Sequence, residues 1–292
     1  AEIAYLSRMA RPTVALINNA GSAHIGELGS VDAVARAKGE IFEGLEETGT
    51  AIINSDDAFA DYWRGLARGR PVVDFGLERK AAISARYEMT VVASLVTFRT
   101  PREQFVAMLG LPGLHNIRNA LAAVACAYAL DIPAAAIAAG LASCAGVKSR
   151  LQRKRHPSGA LVIDDTYNAN PESMQAAIAV LAAYPGRTIL VMGDMGELGD
   201  LTRAMHATIG ELAKRAGVST LFALGEMSAA AARSFGEGAR HFSTVDELVD
   251  ALVDGLDQGS TVLVKGSRFM RMERVIEALD AVNGESAMKG RA

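Results

Sequence analysis

The sequence predicts an α/β protein built as two domains, and three observations carry that expectation. Short apolar, β-branched runs at residues 13–17, 50–54 and 71–75 alternate with helix-period segments in the first half, the pattern of buried parallel strands with crossover helices. The same alternation restarts near residue 160, after a stretch at 146–159 that reads as a linker. The chain has 292 residues, half of them hydrophobic, which is enough for two separate cores.

The first run, 13–17, ends in a loop punctuated by Gly21, Gly26 and Gly29, and the end of a parallel strand is where open α/β sheets bind ligands. His24 stands in that loop, either as a hydrogen-bonded loop histidine or as a functional one. Ser30 can cap the next helix, expected over 30–45, with Val34, Ala37, Ile41 and Leu45 as its apolar stripe. Lys38 falls inside that stripe, so it either snorkels its ammonium to the edge or is held half-buried with a lowered pKa.

A strand at 50–54, a helix through Trp63 and Leu66, and a short strand at 71–75 follow. Between 81 and 100 the spacing changes to alternation, as in Tyr87, Met89 and Val91, which predicts a small antiparallel excursion at the sheet edge. Gly110-Leu111-Pro112-Gly113 breaks the chain before an alanine-rich helix that opens at 114. Asn116 and Asn119 share a face of its first turns; they either cap and solvate the helix or offer paired amides to a purine edge. A second helix runs from 133 to about 144.

In the second half, strands at 161–163, 188–192, 221–224 and 261–264 alternate with helices. Asn170 and Pro171 form a capped helix start, and Thr244 with Glu247 has capping-box spacing. Three polar clusters, at 164–170, 193–199 and 265–268, each follow a strand end, so they can converge. Lys265-Gly266-Ser267-Arg268 ahead of a helix is a plausible anion seat.

Net charge is −3 and the longest basic run is Arg153-Lys154-Arg155, read as a solvated loop, so no nucleic-acid surface is expected. No stretch is long and apolar enough for membrane insertion, and 1–12 has no signal-peptide core. Cys126 and Cys144 have no metal-ligand spacing and are expected to be buried free thiols, in keeping with a reducing cytoplasm.

Taken together, the blocks AHIGELGSVDAVARAKGEIFEGL (23–45), GLHNIRNALAAVA (113–125), VIDDTYNANPESMQAAI (162–178), VMGDMGELGD (191–200) and LVKGSR (263–268) resemble the Mur ligases, ATP-dependent amide-forming enzymes of peptidoglycan synthesis. DDTYNANPESM is the most specific block. It points to the branch that joins D-alanyl-D-alanine to a UDP-N-acetylmuramoyl-tripeptide, against other Mur ligases or folylpolyglutamate synthases. The resemblance implies a partial central ATP-binding domain over 1–146 and a Rossmann-like C-terminal α/β domain over 147–292. It also implies ATP and Mg²⁺ as cofactors, with His24 a metal ligand and Lys38 the lysine that is carbamylated; only a neutral amine reacts with CO2, and a carbamate supplies hard oxygen ligands.

By the same resemblance Asn116 and Asn119 face adenine, Arg150 and Asp165 with Tyr167 nearby reach the phosphates and ribose, and Asn168, Lys265, Ser267 and Arg268 lie toward the substrates. Domain closure would assemble the site, the tripeptide carboxylate would attack the γ-phosphate to give an acyl phosphate, and the dipeptide amine would displace phosphate. A cytoplasmic monomer is expected. The sequence departs from the family in three places. No G-x-x-G-K-T phosphate loop occurs, so the chain resembles a truncated ligase, expected to be inactive alone and less stable in its first half. Ser149 precedes Arg150 and Phe269 follows Arg268 where glycine is common, which makes the local backbone there a point to inspect.

Overall fold

The structure is a computed structural model that describes residues 2–22, 25–144 and 146–289. It divides into two compact units, Ala1–Ala145 and Gly146–Ala292.

The first unit opens with α1 (Glu2–Ala10), then β1 (Val14–Ile17), the short α2 (Ile25–Leu28), α3 (Val31–Gly39), β2 (Thr50–Asn54), α4 (Ala60–Leu66) and β3 (Val72–Phe75). β1, β2 and β3 form a parallel sheet in that order, with Leu16 beside Ile52 and Ile52 beside Val73. Continuous apolar strands are needed because both faces are covered. Ala15, Ile17, Ala51 and Ile53 pack with Ala35, Phe42 and Trp63 on one face, while Ile52 and Phe75 join a second core on the other. Ser30 caps α3 through a bond from Ala33 N–H, and α3 gives way at Gly39 to a 3-10 turn over Glu40–Glu43, so the expected helix over 30–45 is interrupted. Trp63 fixes the helix pair, donating from Nε1 to Ala35 O at 3.0 Å while fully buried.

Next come β4 (Ser84–Met89), β5 (Ser94–Arg99) and β6 (Gln104–Leu109), then α5 (Leu114–Ala129) and α6 (Ala134–Ser143). The expected antiparallel excursion is a three-stranded sheet, order β4-β5-β6, linked among the described residues to the edge strand β3 by a parallel bridge from Phe75 to Ile83. Its third strand was hidden by the charged turn 101–103, whose Thr100 hydroxyl closes the hairpin by accepting from Arg102 and Glu103 N–H. α5 buries Ile117, Leu121, Val124 and Ala125 against both sheets. Cys126 is half-buried and Cys144 exposed, which corrects the expectation of two buried thiols: Cys144 follows the last turn of α6, most of whose residues are not buried.

The second unit runs β7 (Gln152–Arg155), β8 (Leu161–Asp164), α7 (Pro171–Ala182), β9 (Arg187–Gly193), α8 (Thr202–Arg215), β10 (Thr220–Leu224), α9 (Ala229–Phe235), β11 (Ala239–Phe242), α10 (Val245–Val253), β12 (Ser260–Lys265) and α11 (Glu273–Lys289). One sheet has the order β11-β10-β9-β12-β8-β7, parallel except for β7. The expected loop at Arg153-Lys154-Arg155 is this antiparallel edge strand. Its charges alternate half-buried and exposed, a composition that protects a sheet edge. Val162, Ile189, Val191 and Phe222 meet α10 and α11, whereas Ile163, Leu190, Leu221 and Leu263 are buried outside that cluster and belong to the face covered by α7, α8 and α9.

Because β9, β12 and β8 are neighbours, the loops after them adjoin. Gly193 and Gly266 make the close approach possible: a Cβ on Gly266 would lie 3.1 Å from Gly193 Cα and 2.6 Å from Met272 Cγ. Asn170 caps α7 by accepting from Ser173 N–H at 2.8 Å, while Ser173 Oγ accepts from Asn170 N–H at 3.0 Å, and Pro171 occupies the first turn. We expect Asn170→Ala to lower the second unit's unfolding free energy by about 1 kcal/mol, read as a lower urea midpoint with unchanged slope.

Candidate functional site

Two groups of side chains gather at strand ends, one in each unit. In the first unit the ends of β1 and β2 are tied by amides: Asn54 Nδ2 donates to Asn18 O at 2.9 Å, and Asn18 Nδ2 donates to Asn119 Oδ1 at 3.2 Å. Gly113, at φ +97, turns the chain so that α5 begins beside them. Asn116 is turned back on its own loop, donating to Pro112 O at 2.7 Å, while Asn119 is exposed beside β1. The two asparagines thus share a helix face but have different partners.

Lys38 is half-buried near the end of α3, and Nζ donates to Asn19 O at 2.8 Å. It reaches the same strand end as Asn18. His24 lies outside the described residues. Among the described residues there is no group of three or more His, Cys, Asp or Glu placed to hold a metal ion. Asn18 and Asn54 were not singled out from sequence, although both close an apolar run with a polar amide.

In the second unit the three polar clusters are joined to each other. Lys265 Nζ, at the end of β12, is 2.6 Å from Asp165 Oδ2 and also donates to Asn168 O at 2.9 Å; the two side chains are 5% and 13% exposed. Asp165 Oδ1 accepts from Leu151 N–H at 3.2 Å, which holds the start of β7. Ser267 Oγ donates to Ala169 O at 2.9 Å and accepts from Gly196 N–H at 2.8 Å. Lys265 and Ser267 are therefore taken up in loop-to-loop bonds, whereas Arg268 is exposed and paired with Glu273 at 3.0 Å.

What faces solvent is Arg150, Tyr167, Asn168, Arg268 and Phe269. Arg150 lies over the Tyr167 ring, with Cζ 4.1 Å from the centroid, and Tyr167 N–H donates to Ser149 O at 3.0 Å. Ser149 holds φ +61, the left-handed conformation that glycine adopts at low cost, so the departure noted at this position is met by backbone strain. Asn168 Oδ1 accepts from Ala169 N–H and Arg268 N–H, at 2.8 and 3.3 Å. An aromatic face, a delocalised cation and exposed amides can stack on a base and pair with phosphate oxygens.

Behind this surface, His206 is fully buried and supports the loop after β9. Nε2 accepts from Met195 N–H at 2.9 Å and Nδ1 lies 2.7 Å from Thr202 O, which requires the neutral ring with its proton on Nδ1. Burial holds its pKa below the ordinary imidazole value, against the opposing pull of Thr202 O and the Asp194 carboxylate. The sequence offered no sign of this role, since a histidine on a helix is compatible with many environments.

The family pattern described as the Mur ligase middle domain matches residues 1–127, and the Mur ligase, glutamate ligase domain pattern matches residues 149–268. The chain belongs to the Mur ligase family. Within it, the chain is 40% identical over 282 residues to the UDP-N-acetylmuramoyl-tripeptide–D-alanyl-D-alanine ligase of Escherichia coli (strain K12), covering 95% of this chain and 62% of that protein. The ligase of the same name from Bacillus subtilis (strain 168) is 32% identical over 294 residues, covering 95% and 61%. The chain thus spans about three-fifths of the length of these curated relatives. A crystal structure of MurF from Acinetobacter baumannii superposes with a TM-score of 0.89 at 34% identity, covering 95% of this chain and 61% of that one. The MurF ligase of Thermotoga maritima in complex with ADP gives 0.84 at 26% identity, covering 100% and 66%.

Two measurements check this description. Lys265→Met leaves the Asp165 carboxylate buried beside an apolar group and is expected to cost about 3–5 kcal/mol, whereas Lys265→Met with Asp165→Leu recovers much of it, by denaturant titration. Stability should also depend on pH through His206. Its folded pKa lies below the unfolded value of about 6.5, so its contribution is complete above that pH and is lost as pH falls through the depressed value. His156, also lowered by burial, acts in the same direction, so the comparison is with His206→Gln, in which the acid slope of the melting temperature should become shallower.

Proposed function

We propose that the protein this chain represents is an ATP-dependent amide ligase that adds D-alanyl-D-alanine to UDP-N-acetylmuramoyl-tripeptide through an acyl phosphate in peptidoglycan synthesis. The observation that carries the reading is identity of 40% running over 95% of the chain, across both units, to a ligase named for that reaction. The nucleotide is ATP, supported by the ADP complex of a relative. A UDP-linked substrate and ATP support a cytoplasmic site of action.

In this reading Asn119, bonded to Asn18, and Asn116 on the same helix face receive the adenine edge, since amides both donate and accept. The Tyr167 face and the Arg150 guanidinium turn toward ribose and phosphates, where a bidentate cation offsets charge gathered between nucleophile and nucleotide. Asp165 and Lys265 act by position: their ion pair fixes the loop that carries Tyr167 and Asn168. Asn168 and Arg268 remain exposed for substrate, and Ser267 braces them. The tripeptide carboxylate oxygen bonds to the γ-phosphorus as ADP leaves; the dipeptide amine then bonds to the carbonyl carbon, loses a proton, and inorganic phosphate leaves.

Magnesium belongs to the proposal as the ion bound with ATP, with His24 and a carbamylated Lys38 on the metal side, the carbamate supplying oxygen ligands. The 292-residue polypeptide by itself carries a second reading, nucleotide binding without turnover, which its three-fifths coverage of the relatives favours.

The test follows phosphate release from ATP in the complete native protein with UDP-N-acetylmuramoyl-tripeptide, with and without D-alanyl-D-alanine. Dipeptide-dependent release with a product heavier by one D-alanyl-D-alanine residue pair is the expected result, and release that ignores the dipeptide would overturn it. Lys38→Ala is expected to lose about a hundredfold or more in kcat, with partial recovery in formate or acetate. Full activity in that variant would contradict the carbamate assignment.

A further inference from the structure

Strand β4 forms one edge of the antiparallel sheet, and its outer side is unpaired beyond Ile83 among the described residues. Two sets of hydrogen bonds fix which peptide groups point that way. Thr90 N–H donates across the hairpin to Ala93 O at 2.8 Å, so Thr90, Glu88 and Arg86, at period two, turn their peptide groups toward β5. Ile83 N–H donates to Asp74 O and Ile83 O accepts from Gly76 N–H, both at 3.0 Å, on the opposite side. Ala85, Tyr87 and Met89 share that parity and offer their N–H and C=O groups outward. Tyr87 and Met89 are 42% and 49% exposed.

The side chains of this strand are self-complementary in one register. Arg86 and Glu88 lie on one face of the sheet, opposite Thr97 and Leu95 of β5, and neither makes an ion pair within the chain among the described residues. An antiparallel second copy centred on Tyr87 sets Tyr87 against Tyr87, Arg86 against Glu88, and Glu88 against Arg86. Tyr87 would then be the hydrogen-bonded pair, and the two Arg–Glu pairs would fall at non-hydrogen-bonded sites, where cross-strand side chains approach most closely. Centring on Arg86 or Glu88 would instead oppose like charges at the two-fold axis, Arg86 to Arg86 or Glu88 to Glu88. Centring on Ala85 would run into the pairing of Ile83 with β3.

We propose that the edge strand Ser84–Met89 is a homotypic docking surface, and that two copies of this chain associate through a two-fold antiparallel β4–β4 pairing centred on Tyr87. The partner is a second copy because opposite charges two residues apart on an edge complement themselves under a two-fold axis. The surface is small, so the contact is weak and the expected monomer is its dilute form. This inference is independent of the proposed reaction.

The test is sedimentation velocity on the purified 292-residue chain over a concentration series reaching the millimolar range. The weight-average mass should rise toward that of a dimer. Arg86→Glu sets like charges opposite each other twice and should weaken association about tenfold. Arg86→Glu with Glu88→Arg restores complementarity and should recover it. Tyr87→Pro should abolish it without breaking the β4–β5 ladder, because the Tyr87 N–H faces outward; unchanged circular dichroism checks that the fold survives. A chain that stays monomeric throughout, an association indifferent to Arg86→Glu, or a charge swap that fails to recover what Arg86→Glu loses would each overturn the proposal.

Discussion

The second unit depends on one buried ion pair. Lys265 Nζ sits 2.6 Å from the Asp165 carboxylate with both side chains largely removed from water. A lysine ammonium alone there would be strongly disfavoured, so its partners are not optional. Asp165 Oδ2 and Asn168 O take two of its donors, and Asp165 Oδ1 is itself satisfied by Leu151 N–H. The pair therefore links the start of β7, the loop after β8 and the end of β12. Ser267 extends the link to the loop after β9 through Ala169 and Gly196. Strand order makes this possible, because β8, β12 and β9 are adjacent, and Gly193 and Gly266 leave no Cβ to hold the strand ends apart. The exposed groups on top, among them Tyr167, Asn168 and Arg268, stand on a rigid base.

The corresponding region of the first unit is joined, among the described residues, by neutral amides. Asn18, Asn54 and Asn119 connect the ends of β1 and β2 to α5 through neutral amides, and Lys38 reaches the Asn19 carbonyl beside them. An amide cluster presents donors and acceptors of similar strength, which suits a heteroaromatic edge. A cation over an aromatic ring, as at Arg150 and Tyr167, suits anionic and stacked groups. The two strand-end groups thus differ in chemistry, neutral amides in the first unit and a cation over an aromatic ring in the second.

Much of the architecture was legible because buried parallel strands must be continuously apolar. Residues 50–54, 188–192 and 261–264 announced strands that the structure places at Thr50–Asn54, Arg187–Gly193 and Ser260–Lys265. Caps at Ser30, Asn170 and Thr244 were equally plain, since a side-chain acceptor before an apolar period has few other uses. The elements that escaped, β6, β7, β11, α1 and α2, are short or half-exposed. Gln152–Arg155 reads as a polar loop and becomes a strand only because β8 offers an open edge.

At the candidate site, the loops that carry side chains could be located from the strand ends, but not the partners inside them. Lys265 and Arg268 look alike as basic residues of one tetrapeptide, yet one is buried on Asp165 and the other is exposed near Glu273. That difference follows from which side of the strand end each occupies, a tertiary fact. His206 was similarly silent, because only the fold brings Met195 N–H to its ring.

The most direct measurement of the central claim, that the strand-end amides of the first unit receive an adenine nucleotide, is photolabelling with an azido-adenine analogue of ATP followed by peptide mapping. The account predicts saturable labelling, competed by ATP, on the peptide that contains Asn116 and Asn119. Labelling that ATP does not compete, or that falls on peptides remote from this strand end, would contradict it.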